Sequence, residues 1–293
     1  MSVIRWNPNN IVFPIPVFRH CRQLVSLGLD GVAAMTDAGV GILALNCPHL
    51  LVLRIKGTAV SPTGIATIVH ALPRLRAVSV SGPAASDLSL SHISGLRELV
   101  DLDLASSMAS DAGLLAVAGG RLRGDGGCLK LTAVSLAECP RITGAGLEYL
   151  GAGCRSLTTV SLGGLAGAAR LVQVAPALAH LAVVAPPLPL TDIDVLCTLL
   201  AARPTIDVLL VPVFNTVDVA TVLAGVGFRT VTRDETEMPD GRRSFSSWRF
   251  ADHRLPYTWG GNHGRSNSGF CRVRTPVPAD HPWRTQLPAL VAG

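Results

Sequence analysis

No Asn-x-Ser/Thr sequon occurs in this chain, and its first twenty residues, MSVIRWNPNNIVFPIPVFRH, lack the charged start, continuous apolar region and small-residue cleavage site of a secretory signal. Both absences weigh against an extracellular protein. Charge is scarce too, at 15% of residues against 48% hydrophobic, which argues against a solvated, disordered chain and leaves ample apolar surface for a continuous core over 293 residues. Nor is there an unbroken apolar span. The longest uncharged run, Leu171 to Thr191, carries Pro176, Pro186, Pro187 and Pro189, so no membrane insertion is expected. Seven cysteines, an odd number, cannot all be paired. The expected setting is intracellular and reducing. Cytoplasm, cilium and mitochondrion are not distinguished. Arg5, Arg19 and Arg22 precede the first acidic residue, Asp30, as in a mitochondrial presequence, but no Ser/Arg-rich amphipathic helix accompanies them.

What is present is a repeat. From Cys21 onward a triplet of apolar residues recurs: Leu24/Leu27/Leu29, Leu50/Leu53/Ile55, Leu75/Val78/Val80, Leu99/Leu102/Leu104, Leu131/Val134/Leu136, Leu157/Val160/Leu162, Leu178/Leu181/Val183 and Ile206/Leu209/Val211. Each triplet reads as a short strand with its inward face toward a core. The second half of nearly every unit opens on a small polar residue, Thr36, Ser61, Ser86, Ser110, Thr143, Thr191 or Asn215, followed four residues later by Val40, Ile65, Leu90, Leu114, Leu147, Val195 or Val219. A side-chain oxygen at that place caps the first turn of a helix, worth about 1 kcal/mol. Asp37, Asp87, Asp111 and Asp192 follow their caps directly, where a negative charge meets the positive end of the helix dipole, and Pro62 takes the same position at no cost. The expected fold is therefore α/β, a leucine-rich-repeat solenoid or horseshoe with a parallel concave sheet and outer helices. Residues 21–231 form the repeats, 1–20 an N-terminal cap packed through Trp6, Phe13 and Phe18, and 232–293 an irregular C-terminal extension.

That extension is chemically distinct. Residues 241–293 hold eight arginines against Asp252 and Asp280, a count of +6, while the whole chain is +5. They also hold seven of the thirteen aromatic residues. Disordered tails are poor in aromatics, so docking against the array or a partner is expected, with Trp248, Arg249, Tyr257, Trp259, Arg272, Arg274 and Trp283 as the docking residues. Arginines interleaved with rings also suit single-stranded RNA, so RNA is carried as a second partner class for the tail, behind protein.

The segments Cys21–Cys47 and Cys128–Cys154 each run from cysteine through a strand triplet and a helix to cysteine: CRQLVSLGLDGVAAMTDAGVGILALNC and CLKLTAVSLAECPRITGAGLEYLGAGC. This pattern resembles the cysteine-containing class of leucine-rich repeats, as in the F-box/leucine-rich-repeat proteins. The resemblance implies either a substrate receptor of a cullin-based ubiquitin ligase or, in relatives without an F-box, a subunit of a ciliary or mitochondrial assembly. Only twenty residues precede the first repeat and they show no three-helix pattern, so an F-box is not expected among them.

On the concave side, the positions alternating with the core residues are mostly small. Arg54 with Lys56 reads as a positive spot and Asp101 with Asp103 as a negative one. Ser79, Ser135, Ser161, His180 and Leu210 complete the expected protein-binding face. No catalytic centre is expected. Asp101 and Asp103 share a face but have no third ligand or base beside them. Cys47-Pro-His49 offers a thiol at a core position. His253, His263, Cys271 and His281 match no zinc spacing, the Arg123-Gly124-Asp125 tripeptide reads as a loop, and the Gly124–Gly127 run lacks the Lys-Ser/Thr of a phosphate loop. The expected function is a non-enzymatic scaffold or accessory subunit with protein partners, no small-molecule substrate, no cofactor and no metal. Its alternatives are the ligase receptor and an RNA-associated subunit, as in an organellar ribosome.

Overall fold

The computed structural model describes residues 2–5, 18, 21–119, 127–185, 195, 199, 203, 206–212, 229–232, 235–237, 243–245 and 271–274. Each unit is a strand of a few residues, a turn and a helix. The order is β1 (Ser2–Arg5), β2 (Leu24–Gly28), α1 (Asp37–Asn46), β3 (Val52–Arg54), α2 (Pro62–Ala71), β4 (Ala77–Ser79), α3 (Asp87–Ile93), β5 (Asp101–Asp103), α4 (Asp111–Val117), β6 (Ala133–Leu136), α5 (Gly144–Gly153), β7 (Thr159–Leu162), α6 (Ala168–Val174) and β8 (His180–Ala185). Strands β9 (Asp207–Pro212), β10 (Arg229–Thr232), β11 (Glu235–Glu237), β12 (Arg243–Phe245) and β13 (Cys271–Arg274) follow. An 11-stranded sheet runs β1 through β9 in chain order, all parallel, and ends β9-β13-β10 with both last pairings antiparallel.

The stack is built on one register line: Leu27, Leu53, Val78, Leu102, Val134, Val160, Leu181 and Val208 lie side by side on successive strands, and none is more than 4% exposed. A single strand–helix unit cannot bury this row, so every unit depends on its neighbours. The ladder continues past each strand: Leu29 N–H donates to the Arg54 carbonyl at 2.8 Å and Leu104 N–H to that of Ser135 at 2.9 Å. The core-facing triplets of the first seven units are buried as their pattern predicts.

In the eighth unit the register corrects the sequence reading. Val208 pairs with Leu181 and Leu210 with Val183, so Val208 and Leu210 occupy core rows, while Asp207 and Leu209 continue the concave ones. Ile206 and Val208 are both buried, 1% and 0% exposed. Two residues, not three, separate the first two core positions here, and strict alternation along an extended chain then shifts everything after by one.

Both ends of the array gain a strand. β1 adds a parallel edge beside β2, and Phe18 is buried in the first repeat's core; Trp6 and Phe13 lie outside the described residues. At the other end β13, from the basic extension, inserts antiparallel between β9 and β10. β11 and β12 pair separately.

The helices begin at Thr36, Ser61, Ser86, Ser110 and Thr143. The last four cap through their hydroxyls; Thr36 makes no side-chain cap. Thr191 and Asn215 lie outside the described residues. The acidic residue after the cap does more than meet a dipole. Asp37 accepts from the backbone N–H and hydroxyl of Ser61, the next repeat's cap. Asp87 does the same with Ser110, at 2.7 Å for each bond. Asp111 does so with Thr143, at 2.8 and 2.6 Å. Burial pushes the Asp87 carboxyl up, but the Ser110 hydroxyl and N–H, the Arg141 charge and the Gly113 N–H together hold it below the usual value.

This clasp dictates the residue three places after the receiving cap. A Cβ there would collide with the incoming carboxylate, at Gly64 with Asp37, at Gly113 with Asp87 (2.7 Å) and at Gly146 with Asp111. Where the preceding repeat has Pro62 in place of the aspartate, the corresponding residue is Ser89, whose side chain instead bonds Ser86 at 3.1 Å. Gly146→Ala is expected to destabilise the chain by about 1–3 kcal/mol. In an Asp111→Ala background the cost shrinks by about 1 kcal/mol, since contacting residues couple. Denaturant melts of the four variants measure that difference, and additive costs would mean that the carboxylate is not what Gly146 accommodates. Gly41→Ala, with nothing within 4 Å of its Cβ, is the opposite control and gains about 0.5–1 kcal/mol from helix propensity.

Candidate functional site

Two rows of side-chain positions face the concave side of β2–β8. One is Gly28, Arg54, Ser79, Asp103, Ser135, Ser161 and Ala182; the other is Ser26, Val52, Ala77, Asp101, Ala133, Thr159 and His180. Their middle is largely withdrawn from solvent: Val52, Ala77, Ser79, Asp103, Ser135 and Thr159 are all 9% exposed or less. Ser161 is half-buried and His180 exposed.

The structure joins the two charged spots that the sequence reading kept apart. Lys56 Nζ lies 2.6 Å from Asp103 Oδ2. That carboxylate also accepts from Ser79 Oγ at 3.0 Å and, through Oδ1, from the Ala105 N–H at 3.1 Å. Asp30, in the turn after β2, takes Arg54 Nε at 2.9 Å and the Lys56 N–H at 3.0 Å. Successive parallel strands sit about 4.8 Å apart, so a lysine in the turn after β3 reaches the second strand along. Asp30, Arg54, Lys56 and Asp103 form one chain of paired charges across four repeats. Pairs that are partly solvated contribute little each, about 0–1 kcal/mol, so the network orders this face more than it stabilises it.

Asp101 is different. Burial and then the Asp103 charge push its carboxyl up to about 7, and the attraction of Arg54 and Lys56 offsets only part of this. Diagonally across on β6, opposite Asp103, Ser135 Oγ is buried with no hydrogen-bond partner.

At the C-terminal end, Arg272 pairs with Leu209, which pairs in turn with Ala182, and Arg274 pairs with Arg229. Arg272 and Arg274, expected as docking residues of the tail, thus occupy concave-row positions of the sheet itself. Trp248, Arg249, Tyr257, Trp259 and Trp283 lie outside the described residues. Asp30 was missed in the sequence; the signal that marks it is its place one residue beyond the core triplet, in line with Lys56 one repeat on.

No cluster of three or more His, Cys, Asp or Glu among the described residues could hold a metal ion, and no described helix is long and apolar enough to cross a membrane. Cys47, beside Pro48 and His49, is fully buried, and burial followed by the Cys21 charge pushes its thiol up to about 11. Cys128 and Cys154 are pushed up to about 12 by burial, with Cys154 adding to the effect at Cys128. A thiol held protonated is neither nucleophile nor ready ligand. We expect all three to resist iodoacetamide at about pH 8 in the native protein and to react on unfolding, read by mass spectrometry of the labelled peptides.

One strand and one outer helix per repeat, stacked into a parallel sheet, define an α/β leucine-rich-repeat solenoid. No family model matches the chain, and no curated protein does. Among solved structures it is similar to a chain of the Rad7 and Elc1 complex in yeast, at 18% identity over 55% of this chain and 50% of that one, with TM-score 0.45. It is also similar to a chain of the TLR13–ssRNA13 complex, at 13% identity over 63% and 33%, TM-score 0.38, and to an internalin, InlF, of Listeria monocytogenes, at 13% over 58% and 50%, TM-score 0.33. The chain spans half or less of the length of these structures.

Proposed function

We propose that this protein is a non-enzymatic interaction scaffold or accessory subunit of a larger intracellular complex, binding protein through its concave face and C-terminal extension. The observation that carries the reading is the face itself: a floor of small residues, Ser26, Ala77, Ser79, Ala133, Ser135 and Ser161, over which another backbone can pass closely, with the carboxylates and cations of β3, β5 and their turns gathered in one central network. The ligase-receptor reading is supported by the cysteines that close α1 and α5, Cys47 and Cys154, the feature shared with the F-box/leucine-rich-repeat class. The RNA-associated reading rests on the arginines and rings of the extension.

The test is quantitative co-purification from the native source. Ser161→Arg fills the concave floor, whereas Gln173→Arg places the same charge on an exposed helix position of α6. Partners lost with the first variant and kept with the second support the concave reading; equal recovery with both removes it. Recovery with cullin-ligase components would select the receptor role, and ribonuclease-sensitive recovery the RNA role.

A further inference from the structure

We propose that Asp101, Asp103 and Ser135 form the docking point for one arginine side chain carried on an extended segment of a protein partner. The proposal rests on the concave-face reading and names the chemistry that face selects.

The first argument is charge. On the concave strands and the turns that follow them, Asp30 is paired with Arg54 and Lys56 with Asp103. The Asp101 carboxylate makes no hydrogen bond or ion pair with another described residue, whereas its backbone N–H donates to the Arg76 carbonyl at 3.0 Å, so the central network is one cation short. The groups facing it are Asp103 on its own strand and Arg54 and Lys56 from β3 and its turn. On the other side Ala133, Ser135, Thr159 and Ser161 carry no charge; Glu138, in the turn after β6, accepts from Ser106 Oγ at 2.6 Å, and the next titratable strand residue is His180 on β8.

The second argument is the hydroxyl. Ser135 is 2% exposed and its Oγ has no partner, an arrangement that buried polar groups avoid unless a ligand completes it. Ser135 lies directly across from Asp103, and Asp101 shares the face two residues along the same strand. A carboxylate and a hydroxyl acceptor on neighbouring strands call for a ligand with several donors in one plane. A guanidinium has five, in a rigid fork, and pairs with carboxylate in two-bond geometry. An ammonium lacks the fork. Phosphate is repelled by the two aspartates, which sets a protein ligand above a nucleic acid at this point. Ala77 and Ala133 beside Asp101 leave room for the partner's backbone.

The probe is an acetylated, amidated pentapeptide Ser-Gly-Arg-Gly-Ser, titrated into the full isotope-labelled chain, with citrulline in place of arginine as the neutral isostere. Saturable amide shifts centred on residues 101–105 and 133–137 are expected, with about tenfold weaker binding for the citrulline peptide and for Asp101→Asn. A smaller loss, about threefold, is expected for Ser135→Ala, which preserves the fold. Affinity should rise by up to about tenfold from about pH 6 to about pH 8 as Asp101 ionises. Equal response to both peptides, or shifts elsewhere on the chain, would overturn the proposal. So would binding that appears only after Arg249, Arg254 and Arg265 are changed to Gln, since the chain's own extension would then be the occupant. If the peptide fails while Ser161→Arg still abolishes partner recovery, the concave face binds by other chemistry; if both fail, the face itself is excluded.

Discussion

Leu102→Asp is expected to leave no cooperatively folded protein. Leu102 is fully buried at the centre of β5, in register with Val78 on one side and Val134 on the other. A carboxylate placed there loses its hydration, and on the core face the strands beside it offer only apolar side chains, Val78 and Val134. An isolated buried charge costs more than the whole stability of a typical domain, roughly 5–15 kcal/mol. In a solenoid the damage spreads by a particular route. Each unit is held by its two neighbours, so a failed fifth strand leaves two half-arrays, each with an open apolar end. Leu102→Ala measures the milder version, a cavity costing about 2–5 kcal/mol with cooperativity retained. Circular dichroism melts of the two variants, with Gln173→Glu as an exposed control, make the comparison. A normal cooperative transition for Leu102→Asp would mean that its side chain does not face the core and that the register of the stack is wrong.

The parts of this fold that could be read in advance are those governed by short periods. Core triplets follow the two-residue alternation of a strand, caps follow the start of a helix, and both recur at nearly constant spacing, so Leu27 or Ser110 could be assigned with no knowledge of what lies beside it. What depends on lateral register could not. Lys56 and Asp103 are 47 positions apart, and only the stacking of β3, β4 and β5 brings them to 2.6 Å. The clasp from Asp111 to Thr143 crosses a 32-residue separation, against 24 and 23 for the other two, yet Gly64, Gly113 and Gly146 recorded it as a glycine three places after each receiving cap. The eighth unit misled for a related reason. A template anchored on Ile206 assumed the usual three-residue step to the next core position, and the shorter step moved Leu210 from the concave face to a core row. For the candidate site, residue identities were legible and their partners were not: the unpaired Ser135 and the uncompensated Asp101 emerge only when the rows are laid side by side.

The second large effect is a stability that falls as pH rises, and it belongs to Asp101. An ordinary aspartate titrates near 3.8, and this one is pushed up to about 7 by burial and by Asp103. Below the lower value, folded and unfolded chains both carry the proton and Asp101 costs nothing. Between the two values the folded chain binds a proton that the unfolded chain has released, so stability declines steadily with rising pH, and above about 7 the full loss is in place. The gap sets a ceiling of about 4 kcal/mol. Asp101 keeps partial contact with solvent, which brings the expected loss nearer ~2 kcal/mol. Asp101→Asn imitates the protonated side chain and cannot ionise. It should match the native protein at about pH 4 and exceed it by ~2 kcal/mol at about pH 8. Asp87, held low by its bonds to Ser110, acts in the opposite sense, its contribution being lost as pH falls through its folded value, and it acts equally in both proteins. The difference between the two urea-melt profiles therefore isolates Asp101. A constant offset at all pH values would assign the gain to packing, and no offset at about pH 8 would show that the carboxylate is already matched by a cation in the free protein.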